Sequence, residues 1–385
     1  MSLRDGCPDE FRVTIMAKCL PSICAATLLA LLIAGCTPRF TSRALQSTPT
    51  RCGDELVAER QRAASRGLGW LEAFLNDDRH LADVGSDAVE IFLEAGVSTS
   101  SGIVRQRCLA IANRYANKLL PRYLQSGALH EHRNLSDAWT LVVRSEELNL
   151  RLDGLITKLT ARMQSITTFA EEYNVDAVGV GAVADRDLTM FVIDSYLVEK
   201  LRTVRPEIQS IPRLRQVLVR LKDSTFWRRA AEDEEFREDL GYLATHVYYA
   251  LNDYGRLQVR PGDVPAAWEF MRRELPEALA QDQMELVAEF IDVFHSAGLS
   301  ESSDQGLCRA TRLLLAAQNA DGSWGTREPD DDSYDTIHPT WTAVDALRTR
   351  IFLRGTRFER RRDMLMDEAT TGNANSPETL PWPPR

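Results

Sequence analysis

Positive charge is what this sequence has little of. Its 46 Lys and Arg face 56 Asp and Glu, a formal net charge of −10 over 385 residues, with no long basic run. Duplex binding rests on clustered cations against phosphate, so the composition excludes nucleic acid as a partner. Arg228-Arg229 and Arg360-Arg361-Arg362 are short and set among acids, which reads as a solvated face. Long apolar runs are lacking too. The run from Leu20 to Ala34 is interrupted by Pro21, Ser22 and Thr27, and falls short of the ~20 residues that a membrane-crossing helix needs. Strand-like alternation is sparse. Gly179-Val180-Gly181 has no third glycine at G-x-G-x-x-G spacing, so 169–190 reads as a loop or broken helix, not a nucleotide site.

What is there begins with a targeting pattern. Lys18 supplies a positive start, the apolar run follows, and it stops at Ile33-Ala34-Gly35-Cys36. Asp5, Asp9 and Glu10 make residues 1–15 a poor lead-in, which points to Met16 as the start. The segment resembles a bacterial lipoprotein signal. The resemblance implies a signal peptide over 1–35, cleavage before Cys36, and acyl chains on that cysteine. Several chains on one residue give the stable attachment that one cannot. Thr37 follows the cysteine. By the same resemblance, this implies an outer-membrane protein facing the periplasm. Residues 36–53 then read as a lipidated tether, and 369–385 as a disordered tail. Cys52, Cys108 and Cys308 remain in the mature chain, so export allows one disulfide and leaves one thiol over. The sequence does not choose the pair. Cys308, inside a helical pattern, reads as a small buried hydrophobe.

Between 54 and 368 the pattern is one helix after another. Ile103, Cys108, Ile111, Tyr115 and Leu119 recur at near-helical spacing before Pro121. Leu240, Leu243, Val247, Leu251 and Tyr254 recur at three and four, with Gly255 as the stop. Met284, Val287, Ile291 and Phe294 form another stripe, and the last strong helix is predicted from Pro339. Helices of this length on short turns predict stacked helical hairpins in an all-α domain.

One stretch narrows the class. Leu314, Gln318, Gly322 and Trp324 are spaced as in the QW motif, and residues 310–347 resemble terpene cyclases and protein prenyltransferase β subunits. The resemblance implies an α/α toroid, a ring of helical hairpins with inner helices around a central cavity. Gly322 permits a turn that a Cβ would crowd. Trp324 would stack on the next hairpin, and Gln318 would cap backbone groups between hairpins. "GLGWLEAFLND" at 67–77 reads as a degraded first copy. In prenyltransferases the histidine after this turn is a zinc ligand, and His338 holds that place. The family's Asp-x-Cys pair and the cyclase D-x-D-D motif are absent.

Three positions carry the candidate chemistry. His338 before Pro339 reads as a helix N-cap, where the dipole disfavours imidazolium. His246 lies in "YLATHVYYALNDYG", apolar on nearly every face, as on an inner helix. Glu289 falls between them, with Glu285 four residues before it on the same face. His246, Glu289 and His338 make a reasonable zinc set with an open position. Asp292 extends this acidic stripe, although a plain solvent face is the simpler account of the stripe. Asp335 and Trp341 are further cavity or loop candidates, while Asp330, Asp331 and Asp332 read as solvated. The expected function is a lipid-anchored envelope protein with a toroid domain, either a metal-dependent enzyme acting on an apolar or envelope substrate, or a non-catalytic binding or scaffold protein.

Overall fold

The computed structural model describes residues 52–148, 150–165, 186–204, 214–222, 227–228, 237–326 and 332–371. The proposed lipidation site Cys36, the Gly179-Val180-Gly181 step, Asp330 and Asp331 lie outside these residues. The described residues are helical, without a strand. In chain order the helices are α1 (Asp54–Leu75), α2 (Asp78–Val84), α3 (Asp87–Val97), α4 (Gly102–Tyr123), α5 (His132–Val143), α6 (Ser145–Leu148), α7 (Asp153–Ser165), α8 (Arg186–Val204) and α9 (Leu214–Leu221). They continue with α10 (Arg237–Leu251), α11 (Pro265–Ala280), α12 (Met284–Ser296), α13 (Gln305–Ala316), α14 (Ser333–Leu347) and α15 (Arg357–Thr371). None is long and apolar enough to cross a membrane.

Two kinds of helix alternate. Residues 88–96 of α3, 286–294 of α12 and 243–245 with 247–251 of α10 are buried almost without a break. A helix buried all round belongs inside. α1, α4, α11 and α13 each keep a polar face in water. The buried helices neighbour one another in succession: α5 with α8, α8 with α10, α10 with α12, and α12 with α14. α14 then packs on α1 and α2, next to α3. Each inner helix also has an outer companion, such as α4 against α3, α11 against α10 and α13 against α12.

The turn at Gln318–Gly325 shows how neighbouring hairpins are joined. Gln318 Nε2 donates to the carbonyls of Ala63 in α1 and Gly322 in its own turn, both at 2.9 Å. Trp324 Nε1 donates to Leu314 O at 2.7 Å, and its backbone N–H to Thr340 Oγ1 at 2.9 Å. Gly322 has φ +98°, and a Cβ there would come within 3.0 Å of Arg66 O. Only glycine fits both the turn and the approach of α1. The stretch at 67–77 is no second turn. Residues 67–75 of it lie inside α1, where Gly67 gives Trp324 and Val344 the room to pack.

A disulfide joins Cys52 to Cys308, so Cys308 is not the isolated small hydrophobe that its helical pattern suggests; Cys108 is the buried free thiol. The Arg360–Arg362 run is no solvated face either. Arg362 is buried and donates to Leu251 O and Gln258 O, and Arg361 meets Glu199 Oε1 at 2.5 Å.

Candidate functional site

Helix α14 does not begin at Pro339. Asp332 caps it, accepting from the Asp335 backbone N–H at 2.8 Å, and the helix starts at Ser333 with Pro339 inside. Asp332 is therefore an N-cap rather than a loop acid without a role. His338 sits more than a turn into the helix and is not the cap. Its imidazolium is favoured, contrary to the expectation from a cap position. Burial opposes the charge, but the hydrogen bond and field of Glu285, with Glu289 and Asp87, outweigh burial and raise the pKa above its usual value.

The structure brings His338, Glu285, Glu289 and His246 together from three helices. His338 Nδ1 lies 2.7 Å from Glu285 Oε1, and its Nε2 lies 4.0 Å from Glu289 Oε1. His246, on α10, has Nδ1 3.9 Å from Glu289 Oε2. That nitrogen is 2.8 Å from the Tyr242 carbonyl, which makes it the protonated one and leaves Nε2 bare. Tyr242 O–H donates to Glu285 Oε1 at 2.9 Å, and Thr245 O–H donates to Glu289 Oε2. The stripe of acids on α12 is thus no solvent face. Glu289 is 1% exposed and Glu285 29%.

Burial sorts the protons. It pushes Glu289 up to about 8, against the opposing fields of His338 and the Thr245 hydrogen bond. It pushes His246 down to about 4. Glu285 lies below its usual range, because the hydrogen bonds and field of His338 and the Tyr242 hydroxyl outweigh burial. On α3, burial with Asp137 and Glu90 nearby lifts Asp87 to about 7. Burial thus favours a protonated Glu289 and a neutral His246, while the Glu285 contact favours the charged form of His338. Such a spread of acid and base strengths is what proton transfer requires.

The cluster is not sealed. His338 and His246 keep 15% and 16% of their side chains accessible, and Tyr334 and Trp341 are also half-buried. Tyr334 stacks on His338 with ring centres 4.9 Å apart, and Trp341 meets its edge at 5.8 Å. Trp341 Nε1 is buried without a hydrogen-bond partner. Asp292 and Asp335 are not part of the cluster. Asp292 lies nearly a turn beyond Glu289 and pairs with Arg350; Asp335 is exposed on the outer side of α14. The groove lined by Arg62, Arg66, Leu315 and Gln318 involves none of these residues.

Tyr242, Thr245 and Asp87 were not singled out in the sequence. Tyr242 and His246 are four apart, so helical spacing from the one histidine would have found the tyrosine. Nothing marked Asp87, which reaches the site only through tertiary packing.

Among the described residues, no three or more His, Cys, Asp and Glu donors are spaced to hold a metal ion as the side chains stand. The donor chemistry is nonetheless of a ligand type. The Tyr242 carbonyl fixes Nδ1 of His246 and leaves its Nε2 as a lone-pair donor; Glu285 fixes Nδ1 of His338, whose Nε2 becomes a donor of the same kind once that ring loses its charge. No family model, curated protein or solved structure matches the chain.

Proposed function

We propose that this is a lipid-anchored protein of the bacterial cell envelope whose helices close into an α/α toroid, with an acid–base site at one end of the central axis. The succession of buried helices from α3 round to α14, each with an outer companion, supports the ring. The lipoprotein-like segment ending at Cys36 supports the anchor, on an outer membrane with the body in the periplasm. One observation carries the site. Two imidazoles and a buried carboxyl from three different helices meet within 4.0 Å, with proton affinities pushed in opposite directions and solvent still reaching both rings. Perturbed groups of this kind concentrate where chemistry is done.

In this reading Glu289 donates a proton, the bare Nε2 of His246 accepts one, and the His338–Glu285 pair stabilises developing charge. Tyr334 and Trp341 flank the substrate. Infrared spectroscopy of the full chain provides the test. A protonated-carboxyl stretch is expected at pH 7, and the wild-type minus Glu289→Gln difference spectrum should show the Glu289 component, with those of Glu94 and Asp87 cancelling. A spectrum already free of that band in the wild type would end the acid assignment.

A zinc site is the second reading, favoured by the two imidazoles held through oxygen partners. His246, His338 and Glu289 would hold the ion, which would polarise a substrate or water. Metal analysis should then find one equivalent, lost in His246→Ala with the helical fold retained. Metal-free protein with ligand affinity and no turnover would leave a binding or scaffold role.

A further inference from the structure

The inner helices run in one direction, so their two ends differ. The acid–base cluster spans the first half of α12 and α14 and the middle of α10. The connections at the opposite end form a separate face. The α3–α4 connection reaches it at Ser98–Ser101, and the segment after α14 crosses it at 349–356, where Ile351 N–H donates to Ser98 O at 2.7 Å. The disulfide is on the same side. Cys308 is in the first turn of α13, just after Glu301, which pairs with Arg60 and with His295 at the carboxyl end of α12. Gln61 of α1 meets Thr349 at 3.2 Å, which places the start of α1 there too.

This face exposes large apolar side chains. Ile103 is 83% exposed, Ile351 47% and Val104 38%. Ile103 and Val104 open α4 immediately after the connection that Ile351 touches. Among the described residues, four of the seven large hydrophobics that stand exposed (Val57, Ile103, Val104 and Ile351) thus belong to one end of the body. Scattered exposed apolar residues need no explanation, but a group at one end marks a contact surface. Exposed Arg105, Arg354 and Arg357 lie beside the group. Exposed Glu55 and Glu59 lie on α1 with Val57, so the contact centres on the Ile103–Ile351 side.

The length and exit point of the preceding chain say what covers this face. Only residues 37–51 lie between Cys36 and the disulfide-fixed Cys52. Fifteen residues at about 3.5 Å each span about 50 Å at most. The described chain thus starts at Cys52, on the side of the body that carries this face, within tether reach of the anchor. We infer that the Ile103–Ile351 face rests on the membrane surface, with isoleucines at the headgroup boundary and arginines against anionic lipid. Apolar contact plus basic residues is the combination that holds a protein on a bilayer. The acid–base site then opens away from the membrane and takes a water-borne substrate rather than one resident in the bilayer.

This inference rests on the lipoprotein reading above, and one experiment separates the two. The full chain is reconstituted in phosphatidylethanolamine–phosphatidylglycerol vesicles and compared with detergent micelles by hydrogen exchange. The mass of the amino-terminal peptide reports acylation in the same sample. Exchange over 98–104 and 349–354 should slow several-fold in vesicles, with 333–338 unchanged. The doubly substituted Ile103→Ser, Ile351→Ser chain should lose that slowing while its acylation and melting stay the same. Slowing at 333–338 instead, or nowhere, overturns the docking. If Cys36 carries no lipid, the anchor reading fails by itself. The vesicle comparison on the unacylated chain then decides: slowed exchange at the two segments keeps the docking, and unchanged exchange ends it.

Discussion

Compare the two ends of the inner helices. Arg144 and Arg256, just past the carboxyl ends of α5 and α10, meet Glu90 from the first turn of α3, Asp253 meets Arg144 and Lys200, and Asp292 meets Arg350. Arg348 and Arg350 reach Asp345, and Glu94 sits 3.4 Å from Arg256. On the other side of the set, buried Glu289 faces two imidazoles and a hydroxyl. Ion pairs there would fix the protonation states. Their replacement by histidine and hydroxyl leaves protons that can move. The polarity suits the helices, because cations offset the partial negative charge at helix carboxyl ends. One end is built to hold its charges, the other to exchange them. Glu94, with the longest cation contacts of the set, is the exception. Burial and Asp345 push it well above its usual range despite Arg256.

Substitutions at the two ends should therefore fail in different ways. The largest effect is expected for Arg144→Met at the paired end. Arg144 is 1% exposed and holds Glu90 at 2.7 Å, Asp253 at 3.2 Å and the Tyr196 hydroxyl at 2.9 Å. Removing one partner of a buried set costs about 3–5 kcal/mol, because the remaining charges stay buried and unpaired. Urea denaturation measures this, and a loss below about 1 kcal/mol would mean that solvent reaches the network. Next comes the Cys52→Ser, Cys308→Ser pair. A crosslink spanning 256 residues in sequence should contribute about 2–4 kcal/mol, again read in urea. Trp324→Phe keeps most of the packing and loses the bond to Leu314 O, for about 1 kcal/mol.

The smallest effect on stability, and the most telling, belongs to the other end. Glu289→Gln should leave stability near pH 5 almost unchanged. Its signature is in the pH dependence. The folded-state pKa of Glu289 is raised, so the stability it contributes is full below the ordinary carboxyl range. That stability fades as pH rises through about 8. The variant should lose this alkaline decline. A decline of equal size in wild type and variant would assign it to another group.

The sequence made the inner and outer helices legible through spacing alone, and the glycine–tryptophan joint through Gln318, Gly322 and Trp324. His246, Glu289 and His338 were legible as isolated residues on inner helices, because a polar group among apolar neighbours needs a partner. Where the helix at His338 begins was not legible. Proline at 339 marks a first turn by preference, but Asp332 caps more strongly and takes the helix start. The surroundings of Asp292 were equally hidden. Its position on one helix with Glu289 says nothing of Arg350, which arrives from the segment after α14. Asp87 and the Cys52–Cys308 pair depend on contacts between residues far apart in sequence, which periodicity does not encode.

His246, Glu289, Glu285 and His338 form an acid–base set tuned by burial and pairing. Proton NMR titration of the histidine rings tests it most directly. His338 should titrate above the usual 6.5 and His246 should stay neutral down to about pH 4, with the His338 value falling in Glu285→Gln. Two rings that titrate together near 6.5, indifferent to Glu285, would contradict the account.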